Sequence, residues 1–267
     1  MIRDITIGQY YKADSVIHRL DPRVKLMGTL IFIISLFMGM NIWIYAVVTV
    51  ALAVVIKMSR IPLKFMVRGL KSIVILIIIS AVFNLFLTPG DVLIQIWKLT
   101  ITYQGLKMAI FMVVRLIYLI VGTSLMTLTT TPNNLTDGLE KGLGFLKVIK
   151  VPVHEIAMMM SIALRFIPIL IEETDKIMKA QMARGADFEN GSLIKRAKAM
   201  VPILVPLFVS AFRRANELAM AMEARCYHGS EGRTKMKPLK YEKRDRIAYI
   251  SIVLYLGVII IVKIIVA

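Results

Sequence analysis

Two arginines stand in matching surroundings. Ala180-Gln181-Met182-Ala183-Arg184-Gly185 and Ala221-Met222-Glu223-Ala224-Arg225-Cys226 repeat an Ala-x-x-Ala-Arg pattern 41 residues apart. A guanidinium at a helix tip offsets the negative end of the helix dipole, or it reaches outward as a planar two-pronged donor into a carboxylate-lined pocket. The flanking alanines leave it free to do the second. Gly185 suits a left-handed cap, and Cys226 in the corresponding place predicts a second cap that is less left-handed. Other chemistry is sparse. Arg115 lies inside an apolar run, where it is expected to snorkel or pair with backbone carbonyls. His18, His154 and His228 are far apart and Cys226 is the one cysteine, which excludes an internal disulfide framework and a cysteine-based zinc site. His154 and His228 read as ordinary polar residues near helix ends. There is no Gly-x-x-x-x-Gly-Lys-Ser/Thr segment, so the chain carries no phosphate loop and cannot hydrolyse ATP by itself.

The elements that must position those arginines belong to a membrane protein. Hydrophobic residues make up 58% of the 267, and mean hydropathy is +0.73, above the roughly 45 to 50% apolar content of soluble domains. Charged residues throughout the first 25 positions leave no cleavable leader, so the first apolar segment is read as an anchor. Leu26 to Ile56 is uncharged over 31 residues, too long for one span of about 20 residues and short for two. A turn at Gly39-Met40-Asn41 would divide it into two tilted or short helices. A third span runs from Ser72 to about Leu87 and stops at Thr88-Pro89-Gly90-Asp91. Val92 to Tyr103, with Trp97, reads as an interfacial stretch. Lys107 to Thr130 makes a fourth span and Ile247 to Val262 a fifth. These spans hold no Asp or Glu, which disfavours a self-sufficient proton-coupled carrier.

Net charge is +17, with thirty-four Lys and Arg. Five of these lie in residues 1–25, five in 57–71, two in 88–107 and twenty in 131–246. Five spans with a cytoplasmic N-terminus place thirty of them inside, so the basic charge expresses membrane orientation and a nucleic-acid partner loses its main support. The expected partners are the lipid bilayer and acidic protein surfaces, with no nucleic acid.

Residues 131 to 246 read as a cytoplasmic insert. Thr131-Pro132-Asn133-Asn134 starts a short amphipathic helix from Leu135 to about Leu146. A long helical pattern runs from Pro152 to Arg184, kinked at Pro168. Another follows from Ser192 to Arg225, with a stripe of Leu193, Ala197, Met200, Leu204, Phe208, Ala211, Ala215, Leu218 and Met222. Lys195, Arg196, Lys198, Arg213, Arg214, Glu217 and Glu223 keep it out of the bilayer. Each helix is on the order of 40 to 50 Å long, so both need a partner or each other. Eight of the eighteen methionines fall between His154 and Arg225. The run Met158, Met159 and Met160 is a candidate contact for an exchangeable partner, or core filling between crossed helices. The divisions are 1–131 (N-terminal tail and four spans), 132–246 (cytoplasmic domain of long amphipathic helices) and 247–267 (C-terminal span). The fold class is all-α and polytopic.

Together, Asp14-Ser15-Val16-Ile17-His18-Arg19-Leu20-Asp21-Pro22-Arg23-Val24-Lys25-Leu26, Ala163-Leu164-Arg165-Phe166-Ile167-Pro168 with Glu172 after it, and the paired Ala-Arg endings resemble the transmembrane T subunit of energy-coupling factor (ECF) transporters over nearly the whole chain. The resemblance implies a non-catalytic scaffold in the cell membrane that joins two ATPase subunits to a substrate-binding membrane protein, the S component, for import of vitamins or related micronutrients. ATP and magnesium would reside in the ATPases and no cofactor in this chain. The family's X-Arg-X motifs insert into a groove on each ATPase; carried over, they are Ala183-Arg184-Gly185 and Ala224-Arg225-Cys226. On the residues alone, a stand-alone channel or facilitator gated by its cytoplasmic helices is the competing reading. A membrane-bound enzyme is disfavoured by the missing carboxylate, histidine and cysteine constellations.

Overall fold

A computed structural model describes residues 10–96, 99–186, 188, 192–229, 236 and 238–266. Among these residues eight α-helices follow in chain order: α1 (Pro22–Phe37), α2 (Ile42–Ser59), α3 (Leu63–Leu87), α4 (Tyr103–Thr129), α5 (Pro132–Gly142), α6 (Val153–Ala183), α7 (Leu193–Ala224) and α8 (Lys243–Val266). A 3-10 helix, Leu143–Ile149, links α5 to α6. Two compact units divide the chain, one formed by Gly8–Leu139 with Leu239–Ala267 and the other by Glu140–Pro238.

Start and stop chemistry accounts for most boundaries. Asp21 accepts a hydrogen bond from Arg23 N at the head of α1, with Pro22 in the first helical position. Asn41 does the same for α2 through Trp43 N, and Thr102 for α4 through Gly105 N. The helices of the first unit bury few side chains completely and leave large apolar ones outward, among them Ile42, Ile75, Leu87, Ile264 and Ile265 at 69 to 76% exposure. This inverted surface is what a bilayer requires of a helical bundle.

Among the described residues, four helices, α2, α4, α6 and α8, are long and apolar enough to cross a membrane, and α3 makes a fifth if its two halves, bent by 64° near residue 72, count as one span. The set differs from the expected one at two places. At 16 residues, α1 reaches only about 24 Å, less than the roughly 30 Å of a hydrocarbon core. α6, read from the sequence as part of the cytoplasmic insert, passes the same length and composition criterion. The stretch after α3, expected only to be interfacial, is a small antiparallel hairpin, Val92–Ile96 paired with Leu99–Thr102; Trp97 lies outside the described residues. Asp91 and Gln104 close its base through two mutual hydrogen bonds of 2.7 and 2.8 Å.

Arg115 is 7% exposed within the first unit. Its Nε donates to the Tyr45 hydroxyl at 3.0 Å, and its guanidinium lies 5.0 Å from the centre of the Phe37 ring. A phenol and an aromatic face, rather than the expected backbone carbonyls, therefore hold this cation. α1 supplies Phe37 and α2 supplies Tyr45, so the residue ties three helices together.

The N-terminal motif does structural work. Lys25 Nζ donates to Thr129 O at the C-terminal end of α4 and to His18 O, placing an ammonium where a helix leaves carbonyls unpaired. His18 Nε2 faces Tyr11 O at 3.0 Å and its Nδ1 faces the Ser15 hydroxyl at 2.7 Å. A carbonyl only accepts, so Nε2 carries the proton and Nδ1 accepts from Ser15. Burial holds the His18 pKa below the ordinary 6.5, consistent with that neutral ring. Tyr11 N donates in turn to Leu128 O.

Candidate functional site: two arginine-tipped helices

The second unit pairs α6 with α7. Among the described residues Glu173 ties them together: it accepts from the Ser210 hydroxyl at 2.8 Å and from Arg214 Nη2 at 2.7 Å. Glu173 escaped the sequence reading, which singled out its exposed neighbour Glu172; Arg214 was read only as a charge excluding α7 from the bilayer. A carboxylate on one long helix and an arginine on another was the available signal, with nothing local to join them.

The inward side of α7 also differs from expectation. Ile203 is buried, and Leu207, Ser210, Ala211, Arg214 and Leu218 are half-buried, whereas Met200, Leu204 and Phe208 of the expected stripe are 56 to 65% exposed. The packed line keeps Ala211, Leu218 and Met222 of the expected stripe but shifts by one residue at Ile203, Leu207 and Arg214. Because Val201, Val205, Val209 and Phe212 are also apolar and exposed, periodicity could not choose between adjacent faces; the Glu173 pairs choose. On α6, Ile156, Met159, Met160 and Ile167 form an outward apolar line at 37 to 58% exposure. Met158 is half-buried on another side, since successive helical residues point about 100° apart. The methionine run is therefore not one surface.

Both helices end in the same backbone turn. After α6, Gly185 N donates to Met182 O and Ala186 N to Gln181 O, with Gly185 at φ +89°. After α7, Cys226 N donates to Glu223 O and Tyr227 N to Met222 O, with Cys226 at φ +56°. These are paired Schellman motifs, each with its arginine at the C-cap. The expectation that Cys226 weakens the left-handed turn is thus corrected. The two crossed hydrogen bonds outweigh the roughly 1 to 2 kcal/mol that a Cβ costs in that conformation. Cys226→Gly is accordingly expected to raise the thermal stability of the purified protein by about 1 kcal/mol; a loss would show that the thiol contributes a contact of its own.

Arg184 and Arg225 are exposed, as are Ala183, Ala224, Gly185 and Cys226, and neither guanidinium makes a hydrogen bond or ion pair to any described residue. Each tip therefore presents an uncommitted, permanently charged fork on a geometrically fixed turn. Such a group can do little alone. It fits a carboxylate-lined recess on another molecule. Among the described residues, no group of three or more His, Cys, Asp or Glu converges as a metal site would require.

Comparison with known proteins extends these observations. The profile of the cobalt transport protein family, CbiQ, matches residues 13–236. Over 250 residues the chain is 57% identical to the energy-coupling factor transporter transmembrane protein EcfT of Clostridium kluyveri, covering 93% of each chain. The chain belongs to the EcfT family. The EcfT of Bacillus subtilis is 47% identical over 254 residues, covering 95% of this chain and 96% of the relative; that of Lactococcus lactis subsp. cremoris is 42% identical with the same coverage. The EcfT-family assignment agrees with the resemblance drawn from the short motifs, and makes the chain a multi-pass membrane component of an energy-coupling factor transporter.

Proposed function

We propose that this EcfT-family chain is the coupling scaffold of an ATP-driven importer of vitamins or related micronutrients. Arg184 and Arg225 each enter an acidic groove on one of two ATPase subunits, and the exposed apolar sides of α6 and α7 carry a substrate-binding S component. The chain itself is non-catalytic. ATP and magnesium are bound by the ATPases, and the cargo pocket belongs to the S component. One observation carries this reading: two helices clamped together through Glu173 end in the same turn and present the same free cation. A rigid pair with two equivalent grips can turn the closure of two identical or related subunits into movement of what rests along its length.

Co-purification without crosslinking tests the scaffold reading. Wild-type chain expressed with its partners should retain stoichiometric ATPase and a small membrane protein. A Met159→Ser, Met160→Ser double variant should shed the small membrane protein while keeping the ATPases. A lone oligomer that conducts or transports without ATP would overturn the proposal.

We infer a cytoplasmic N-terminus in a cell (plasma) membrane, because the five-span reading that keeps residues 131–246 inside gathers thirty of the thirty-four basic residues on that side. In a Cys226→Ser background, a cysteine at Asn41, between α1 and α2, is expected to label from outside. Labelling only after permeabilisation would reverse the orientation.

A further inference from the structure

A groove of about 460 Å³ lies within the first compact unit, between α1, α2, α4 and α8. Its ends differ in chemistry. Lys25 and Arg244 stand at one end, beside Met58 and Thr129; Phe32, Gly122 and Tyr255 lie toward the other. The wall between them is apolar in effect, because its hydroxyls are already satisfied: Thr29 donates to Lys25 O, Ser251 to Ile247 O and Thr129 to Met126 O, while Tyr255 pairs with Ser35. Rim residues Val54, Met58 and Ile247 are exposed, so the groove meets the surrounding hydrocarbon.

The cations are incompletely paired. Lys25 Nζ donates to two carbonyls, which leaves one of its three N–H groups. Arg244 Nη2 is held by Glu242 at 2.9 Å, but its Nε is buried and has no hydrogen-bond partner. A buried, unpaired charged donor is costly and calls for an acceptor.

Dimensions select the occupant. Eleven residues of α8 separate Arg244 from Tyr255, a rise of about 16 Å, close to half of a roughly 30 Å hydrocarbon core and so to one leaflet. A helix about 10 Å across over that length would fill on the order of 1,300 Å³, far more than the groove holds. A single hydrocarbon chain, with carbons packing at about 4 Å, would fill on the order of 200 to 300 Å³. The N-terminal ends of α1 and α8 and the C-terminal ends of α2 and α4 meet at the cationic end, which is also where Arg23, Lys57 and Arg60 cluster in sequence around those helix ends. By the distribution of basic residues this is the cytoplasmic leaflet, the side whose anionic lipids attract such groups.

We propose that the groove is a binding site for one anionic phospholipid, its phosphate between Lys25 and Arg244 and one acyl chain along the apolar wall. A choline head group would bring a third cation beside Lys25 and Arg244, so the site discriminates against zwitterionic lipid. The lipid would add to the Asp21–Asp245 and Ser35–Tyr255 hydrogen bonds that already join α8 to α1.

The experiment uses the full chain in a mild neutral detergent, offered equal amounts of phosphatidylglycerol and phosphatidylcholine with identical chains, with retained lipid read by native mass spectrometry. Wild type is expected to keep one phosphatidylglycerol with at least tenfold preference. Arg244→Gln should bring that preference close to parity. Ala248→Phe, which fills the wall, should reduce retention of either lipid about tenfold; thermal unfolding of each variant establishes that it is folded. Lys25→Gln provides a second test of the headgroup end. Equal retention of the two lipids by wild type, or unchanged retention by Arg244→Gln and Ala248→Phe, overturns the proposal. So does loss of the bound lipid when the other subunits assemble, which would make the groove a protein-docking surface.

Discussion

Reversing both helix tips, Arg184→Glu together with Arg225→Glu, is expected to abolish capture of ATPase subunits and ATP-driven uptake. Removing one partner of a buried, hydrogen-bonded charge pair costs about 2 to 5 kcal/mol, between roughly thirtyfold and a few thousandfold in affinity for each tip. A carboxylate facing an acidic groove adds repulsion. Each single variant should keep part of the binding because the other tip is intact, and losing both removes the avidity of a two-point grip. Lysine at either position keeps the charge and loses the fork, so Arg184→Lys and Arg225→Lys should be intermediate. Helix capping alone predicts a different pattern. A cation near an exposed helix C-terminus is worth about 0.3 to 1 kcal/mol, so reversal would lower the melting temperature slightly and leave assembly untouched. Pull-down of ATPases by membrane-extracted variants, alongside uptake into liposomes, separates the two. Wild-type assembly and transport in the double variant would return both arginines to the capping role.

Asp245→Ala is expected to be the most destabilising polar substitution in the first unit, at about 2 to 5 kcal/mol. Asp245 is 2% exposed. One carboxylate oxygen accepts from Asp21 N and the other from Glu242 N, each at 2.8 Å. It therefore caps the start of α8 and, across 224 residues of sequence, fixes the residue that caps α1. Alanine would strand two backbone donors at a buried site, each costing about 1 to 3 kcal/mol. Asp245→Asn keeps one acceptor oxygen and should lose roughly half as much. The surroundings make compensation difficult: Asp21 is itself buried and ion-paired to Arg23, whose guanidinium stacks 3.8 Å from the centre of the Tyr241 ring. Thermal unfolding in detergent checks the value. A shift no larger than that of an exposed control such as Glu217→Ala would show that water replaces the carboxylate and that the network is not structural.

Sequence alone determined the helical membrane class, the turns at Asn41 and Thr88-Pro89-Gly90, the long helices preceding Arg184 and Arg225, and the likeness of the two tips. Each of these is local: hydropathy over about 20 residues, a cap side chain, a helix stop, a repeated pentapeptide. Tertiary structure decided what depends on distant partners. Asp245 resembles any charge in Lys243-Arg244-Asp245-Arg246 until the Asp21 amide arrives beside it. Glu172 and Glu173 are equivalent in composition, and only the azimuth of α6 against α7 makes Glu173 the clamp. Arg115 could have met carbonyls, but Tyr45 and Phe37 reach it from other helices. The side of α7 that packs was undecidable from a helix apolar on adjacent faces, because a hydrophobic pattern identifies which residues avoid water and not which neighbour covers them. Cys226 adopts a left-handed turn against its own preference for the same kind of reason: the crossed hydrogen bonds of the helix end, a cooperative property of six residues, outweigh the conformational cost at one.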